Sequence, residues 1–382
     1  MFKKELKLLE QKGLLRSIND RKCQNIPLSR LIRINEADCI NFSSNDYLGL
    51  SDRAELIQAA KECLDSCGFG SGASRLLSGG TELHTELEKR IAAFKNTEAA
   101  LLFNSGYAAN VSAIPAIASE GDLLISDEFN HASIIDGCRI SRAEKAVYRH
   151  CCLDDIEKQL QRKIRGKKIV LTDSIFSMNG DIAPIARINE LCIHYGSILF
   201  IDDAHATGVL GSGKGSLQHF GIKPSGHIIQ MGTLSKALGS TGAFIAADAD
   251  TIKFLANSAR GFIFSTALPA CVAAASIAAL RIIKNEQDLI QALWRNRELL
   301  YSEINKLGFN TYGSQSPIIP IETGDLNAAM LLAESLFGKG IYAPAIRPPS
   351  VKTPRIRITA TASHTKDDIN RLINALSEFK TA

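Results

Sequence analysis

His227-Ile-Ile-Gln-Met-Gly-Thr-Leu-Ser-Lys-Ala-Leu-Gly239 is an apolar run that stops abruptly at small polar residues around one lysine, Lys236. Short, nearly continuous apolar runs of this kind are strands buried on both faces. Similar runs recur at 99–103, 122–126, 168–172, 197–201 and 242–246. Helical segments at 107–119, 131–142, 153–164 and 184–195 fall between most of them. That alternation predicts an α/β fold with a mostly parallel central sheet covered by helices. Ligands of such sheets gather at the carboxyl ends of the strands. The residues just past each apolar run therefore matter most.

Outside this core the pattern changes. Residues 3–20 are predicted as an amphipathic helix, followed by a polar connection to about residue 38 and a short strand from Cys39. A helix over 52–66 leads into Gly68-Phe-Gly-Ser-Gly-Ala-Ser-Arg75, whose backbone freedom suits a loop moulded around something. Thr81 opens a helix through about Lys95. Beyond residue 285 come a long helix (286–306), strands near 316–322 and 354–360, and helices at 326–338 and 365–379. The expected organisation is an N-terminal helix and arm (1–45), a large α/β domain (46–285) and a smaller C-terminal α+β domain (286–382). A chain of 382 residues exceeds what one core usually supports.

Composition excludes several classes. Forty-four basic and 40 acidic residues leave a charge of +4, too small a surplus to suggest nucleic acid. The nine cysteines are scattered, with no CxxC and no Cys/His zinc spacing, so no metal is expected and the thiols fit a reducing cytosol. The N-terminal ten residues lack the unbroken apolar stretch of a signal peptide. The Ala-rich run Leu268–Leu280 is shorter than the ~20 residues a bilayer requires and reads as a buried helix. A cytoplasmic protein with no membrane segment is expected.

Three strand ends carry the chemistry. Asp202-Asp-Ala-His205 follows the run Ser197–Ile201, and His131 lies just past another run in Asp127-Glu-Phe-Asn-His131. Taken singly, Asp202 can be a capping residue and His205 a satisfied core histidine. Together with Lys236 they match the needs of pyridoxal phosphate (PLP). An amine forms a Schiff base, a carboxylate keeps the pyridine nitrogen protonated, and an imidazole stacks on the ring. Asn104-Ser-Gly-Tyr-Ala-Ala-Asn110 is a strand-to-helix turn whose N–H groups can receive a phosphate, with Thr233 as a second contributor.

On these residues the chain resembles the α-oxoamine synthase family of fold-type-I PLP enzymes. The resemblance rests on Asn41–Leu50, Gly70–Gly79, Ser105–Asn110, Asp127–His131, Ile175–Asp181, Asp202–His205, Thr233–Gly239, Phe264–Leu268 and Ala345–Ser350, in family order over nearly the whole chain. It implies that Lys236 holds the cofactor, Asp202 pairs with the pyridine nitrogen and His131 stacks on the ring. His205, with Ser177 nearby, holds the phenolic oxygen; Gly106, Tyr107 and Thr233 hold the phosphate, joined by Thr266 of a neighbouring subunit in a homodimer. Arg357 takes the amino acid carboxylate, and Asn45 and Ser350 stand near the substrate. Arg16 is the choice for the arginine that meets the acyl substrate, with Arg21 its competitor. Ser350 replaces a commoner threonine, and Ala206 a commoner glycine.

The activity implied is a decarboxylative condensation of an amino acid with an acyl thioester. The segment Ala73–Gly79 and the compact length favour members that join L-alanine to pimeloyl-CoA or pimeloyl-acyl carrier protein. Members that acetylate glycine, or another α-oxoamine synthase, are the alternative, and a non-catalytic PLP-fold binding protein is the alternative from another class.

Overall fold

In the computed structural model, which describes residues 1–16, 18, 20–22 and 29–381, the chain divides into two compact units. One comprises Leu50–Ser177 and Ile182–Ile290; the other gathers Met1–Gly49, Met178–Asp181 and Gln291–Ala382.

The first of these carries a seven-stranded sheet. In chain order its strands are Ala99–Phe103, Leu123–Asp127, Glu144–Tyr148, Lys168–Asp173, Ile198–Asp202, Ile228–Thr233 and Ala243–Ala247. Side by side they run first, seventh, sixth, fifth, fourth, second, third. Ala243–Ala247 is antiparallel to both neighbours, and the remaining pairs are parallel. Successive strand residues point to opposite faces, and both faces are buried here. Leu124, Ile169, Leu171 and Phe200 enter one core with the helices Gly106–Ile117 and Ala132–Ile140. Leu123, Ile125, Val170, Leu199 and Ile201 enter the other with Leu153–Leu160 and Ile185–His194. Two buried faces are why these strands read as apolar throughout. Truncating one such residue, Phe200→Ala, costs about 3–5 kcal/mol.

Glu144–Tyr148 was not anticipated from the sequence. It is an edge strand with only Tyr148 buried, so it lacks the apolar run that marks the others.

The second unit holds two small sheets. Arg355–Thr359 is the middle strand of one, antiparallel to Ile318–Glu322 and to Ala345–Ile346. Ala37–Asn41 is the middle strand of the other, beside Leu31–Ile34 and Ile341–Tyr342. The helices Leu326–Gly338 and Lys366–Thr381 agree with expectation. The first helix does not: it spans Lys3–Gln11 and stops well before residue 20. Gly13 adopts φ +63, left-handed backbone that glycine enters without penalty, and the chain turns there. Among the described residues no helix is long and apolar enough to cross a membrane, and the eight cysteines form no disulfide.

Candidate active site

Two aspartates end adjacent parallel strands in register, Asp173 beside Asp202. Both are buried. Asp202 Oδ1 accepts the Ala204 N–H at 2.9 Å, and its Oδ2 accepts the Asn110 side-chain amide at 2.8 Å. Asn110 lies on the helix Gly106–Ile117, and the same nitrogen is 2.8 Å from Ser133 Oγ. Asp173 Oδ2 accepts the backbone N–H of His131 at 2.6 Å, while its own N–H donates to Asn130 Oδ1 at 2.8 Å. His131 caps the helix Ala132–Ile140, its Nδ1 accepting the Ser133 N–H at 3.2 Å. One network thus ties three strand ends together.

The electrostatics separate the two carboxyls. Burial raises both, Asp173 well above the ordinary carboxylate value. At Asp202 the Lys236 ammonium, the Asn110 amide, the Ala204 N–H and His131 all oppose that rise. Asp173 faces the carboxyls of Asp202 and Asp127, which raise it further, while the His131 N–H and Lys236 counter the rise. The rise is therefore opposed more strongly at Asp202 than at Asp173. At His131 the surrounding protein lowers the imidazole pKa, Asp202 raises it and Lys236 lowers it. Lys236, Asp202 and His131 consequently share one electrostatic field. A buried carboxyl beside an exposed histidine fits a pyridine ring that carries a proton.

Lys236 sits in the loop after Ile228–Thr233 and is half-buried. The loop is pressed onto backbone: Gly239 has φ +62, and a Cβ there would come within 2.4 Å of Ser51 N. Only glycine fits. Thr233 Oγ1 donates to the Gly242 carbonyl at 2.9 Å and lies 2.6 Å from Ser235 Oγ.

The anticipated phosphate residues are less uniform. Gly106 is the first residue of its helix, capped by Ser105 Oγ, which accepts the Ala108 N–H at 3.1 Å. Tyr107 is exposed and its hydroxyl donates to Asp136. Thr266 is exposed, its carbonyl accepting the Asn104 amide at 2.9 Å. His205 is buried in the turn after Asp202, and Ser177 is half-buried after Phe176.

In the second unit, Arg357 and Asn45 meet, with Nη2 2.7 Å from Oδ1. Burial lowers the Arg357 guanidinium from its ordinary value, and Tyr47 opposes this. Arg16 Nη2 donates to Ser350 Oγ at 3.4 Å and to the Pro348 carbonyl at 3.3 Å. Arg16 also lines a cavity of about 540 Å³ with Ile34, Met330, Phe337, Tyr342 and Arg347. Arg347 fastens the segment leading to Arg16, donating to the Gly13 and Leu15 carbonyls at 2.7 Å each. Arg21 is exposed.

Sequence reasoning missed Asp173, Ser133 and the orienting role of Asn110. Asp173 carried a usable signal, an acid at the end of an apolar run like that of Asp202.

Comparison with known proteins points the same way. Residues 37–376 match the model of the family described as aminotransferase class I and II. A Thermodesulfovibrio yellowstonii protein provisionally named 8-amino-7-oxononanoate synthase is 50% identical over 378 residues, covering 99% of this chain and 97% of its own. The 8-amino-7-oxononanoate synthase of Geobacter sulfurreducens is 44% identical over 381 residues, covering 98% and 96%. Among solved structures, a serine palmitoyltransferase from S. paucimobilis with bound PLP-myriocin aldimine superposes with a TM-score of 0.92 at 27% identity, covering 100% and 97%.

Proposed function

The chain belongs to the aminotransferase class I and II family and, within it, to the α-oxoamine synthases; from that premise we propose how its residues work. It is a PLP-dependent C-acyltransferase. It condenses L-alanine with a pimeloyl thioester to give 8-amino-7-oxononanoate, CO₂ and the free thiol, the reaction of biotin biosynthesis. The observation that carries this reading is the hydrogen-bond network that joins Asp202 to His131 through Asn110, Ser133 and Asp173, with Lys236 in the loop after the strand next to Asp202.

Bound PLP supplies a carbonyl that captures the amino acid nitrogen and a protonated ring that accepts the electron pair left at the α-carbon. Lys236 Nζ would hold the cofactor and, as a free amine, would take the α-proton of alanine. Asp202, held by the Asn110 amide and the Ala204 N–H, would pair with the pyridine nitrogen and keep its proton in place. His131 stacks on the ring, its orientation fixed by Ser133 and by the Asp173 carboxyl. His205 and Ser177 hold the phenolic oxygen. The Gly106 helix end, Tyr107, Thr233 and a partner copy's counterpart of Thr266 bind the phosphate.

Arg357, oriented by Asn45, takes the alanine carboxylate as a bidentate fork. The cavity rimmed by Arg16 and Arg347 suits an acyl chain that is apolar along its length and anionic at its end, and Ser350 positions Arg16 there. Arg16 is thus preferred over Arg21. We assign cofactor binding to residues 46–285, with an N-terminal arm (1–45) and a C-terminal domain (286–382) contributing substrate residues. The working form is a cytoplasmic homodimer that accepts pimeloyl-CoA or pimeloyl-acyl carrier protein.

The test is to supply PLP with L-alanine or glycine and with pimeloyl-CoA or acetyl-CoA, and to quantify the amino ketone and CO₂. Fastest turnover is expected with L-alanine and pimeloyl-CoA. Faster turnover with glycine and acetyl-CoA would identify a glycine acetyltransferase instead.

A further inference from the structure

Asp127 and Tyr148 end neighbouring parallel strands in register, and the turn after Tyr148 brings three metal-ligating side chains together. They are Asp127, His150 and Cys151, and one donor atom of each lies within 4.8 Å of the other two. Asp127 is buried. Its Oδ1 is 2.9 Å from the Phe129 N–H and 3.0 Å from His150 Nδ1, and its Oδ2 accepts the Cys151 N–H at 2.9 Å. The imidazole is held by two rings, stacked on Phe129 at 4.5 Å and against the edge of Phe176 at 4.4 Å. Cys151 adopts φ +53, left-handed backbone that a residue with a β-carbon rarely enters. That turn lays its Sγ against the imidazole, 3.8 Å from Nδ1 and 3.7 Å from Nε2.

We propose that Asp127, His150 and Cys151 form a binding site for a divalent ion of the zinc class. The ion takes the position of the proton between Asp127 Oδ1 and His150 Nδ1, and Cys151 Sγ closes on it by rotation about χ1. The Nδ1 proton moves to Nε2, the thiol proton goes to solvent, and water fills the fourth position. Zinc sits ~2.0 Å from oxygen and nitrogen and ~2.3 Å from sulfur, which at a tetrahedral angle sets O···N at ~3.3 Å and N···S at ~3.5 Å. The Oδ1···Nδ1 separation here, 3.0 Å, differs from the first by a few tenths of an ångström, and the χ1 rotation brings Sγ from its place against the ring to the second. A thiolate in the donor set selects zinc or cadmium over magnesium and calcium. No spacing motif revealed the site, because Asp127 and the His150-Cys151 pair come from different strand ends. Such an ion would clamp the turn that carries His131, without touching the groups assigned to cofactor or substrate.

The experiment titrates reduced, PLP-saturated protein with Cd²⁺, following thiolate-to-cadmium charge-transfer absorbance in the ultraviolet, and then displaces it with Zn²⁺. One equivalent is expected to produce the band and Zn²⁺ to remove it. Cys151→Asn tolerates the left-handed backbone, and His150→Phe keeps the ring stack. Each is expected to retain the PLP absorbance of the parent and to weaken ion binding at least about tenfold. Cys67→Ser, at an exposed thiol elsewhere, is expected to leave the titration unchanged. Absence of the band at one equivalent, an undiminished band in Cys151→Asn, or unaltered affinity in His150→Phe would each overturn the proposal.

Discussion

Asn110 Nδ2 stands 2.8 Å from Asp202 Oδ2, and the same nitrogen stands 2.8 Å from Ser133 Oγ. A buried carboxylate is thereby given a fixed donor, and that donor is itself located by the helix that bears His131 at its cap. Asn110→Ala removes a hydrogen bond to a charged group, worth about 1.5–3 kcal/mol. PLP affinity is expected to fall roughly ten- to a hundredfold, read by spectrophotometric titration. Unchanged affinity would mean that Asp202 needs no orienting amide.

The Asp173 carboxyl, raised by burial and by Asp202, makes its own contribution to pH dependence. A raised folded value means that the folded chain retains a proton the unfolded chain releases. Its stabilising effect is complete below the ordinary carboxylate value of about 4 and is lost as pH rises through the folded value. Asp173→Asn keeps an uncharged acceptor for the His131 N–H and removes the titration. Denaturant midpoints of the PLP-free variant are expected to decline less with rising pH than those of the parent. Equal slopes would assign the proton elsewhere.

His364 behaves in the opposite sense. It is stacked on Phe42 at 4.2 Å, its Nδ1 accepts the Thr361 N–H at 3.1 Å, and burial pushes it down to about 4. Its contribution is present above the ordinary histidine value of about 6.5 and is lost as pH falls through the folded value. The shift corresponds to roughly 3 kcal/mol. Urea unfolding between about pH 7 and pH 4 is expected to show this loss, and His364→Gln to flatten it.

Arg357 offers a kinetic test. Lysine keeps the charge but not the fork that meets a carboxylate with two hydrogen bonds. Arg357→Lys is expected to lower kcat/KM for L-alanine roughly ten- to a hundredfold, mainly through KM, while PLP binding is unaffected. A fall in PLP affinity of similar size would contradict the carboxylate role.

How legible each position is in the sequence depends on how strongly the fold constrains it. Strands buried on both faces, such as Lys168–Asp173 and Ile198–Asp202, leave an apolar run that is hard to misread. The edge strand Glu144–Tyr148 leaves none, and the first helix was overextended because its amphipathic pattern outlasts the turn at Gly13. At the site, residues at strand ends were visible singly, as with Asp202, His131 and Lys236. Relations across elements were not. The Asn110–Asp202 and Arg357–Asn45 pairs join residues far apart in the chain, and the Asp127–His150–Cys151 cluster assembles only when two parallel strands align.

Lys236 is the residue on which the proposed chemistry turns. Reducing the PLP-loaded protein with borohydride and mapping the modified peptide by mass spectrometry locates the amine that holds the cofactor. The label is expected on the peptide containing Lys236, and Lys236→Ala is expected to lose both the label and at least the roughly 10²–10⁴-fold rate contribution of a general base. Label on another lysine, or undiminished label in Lys236→Ala, would contradict the assignment.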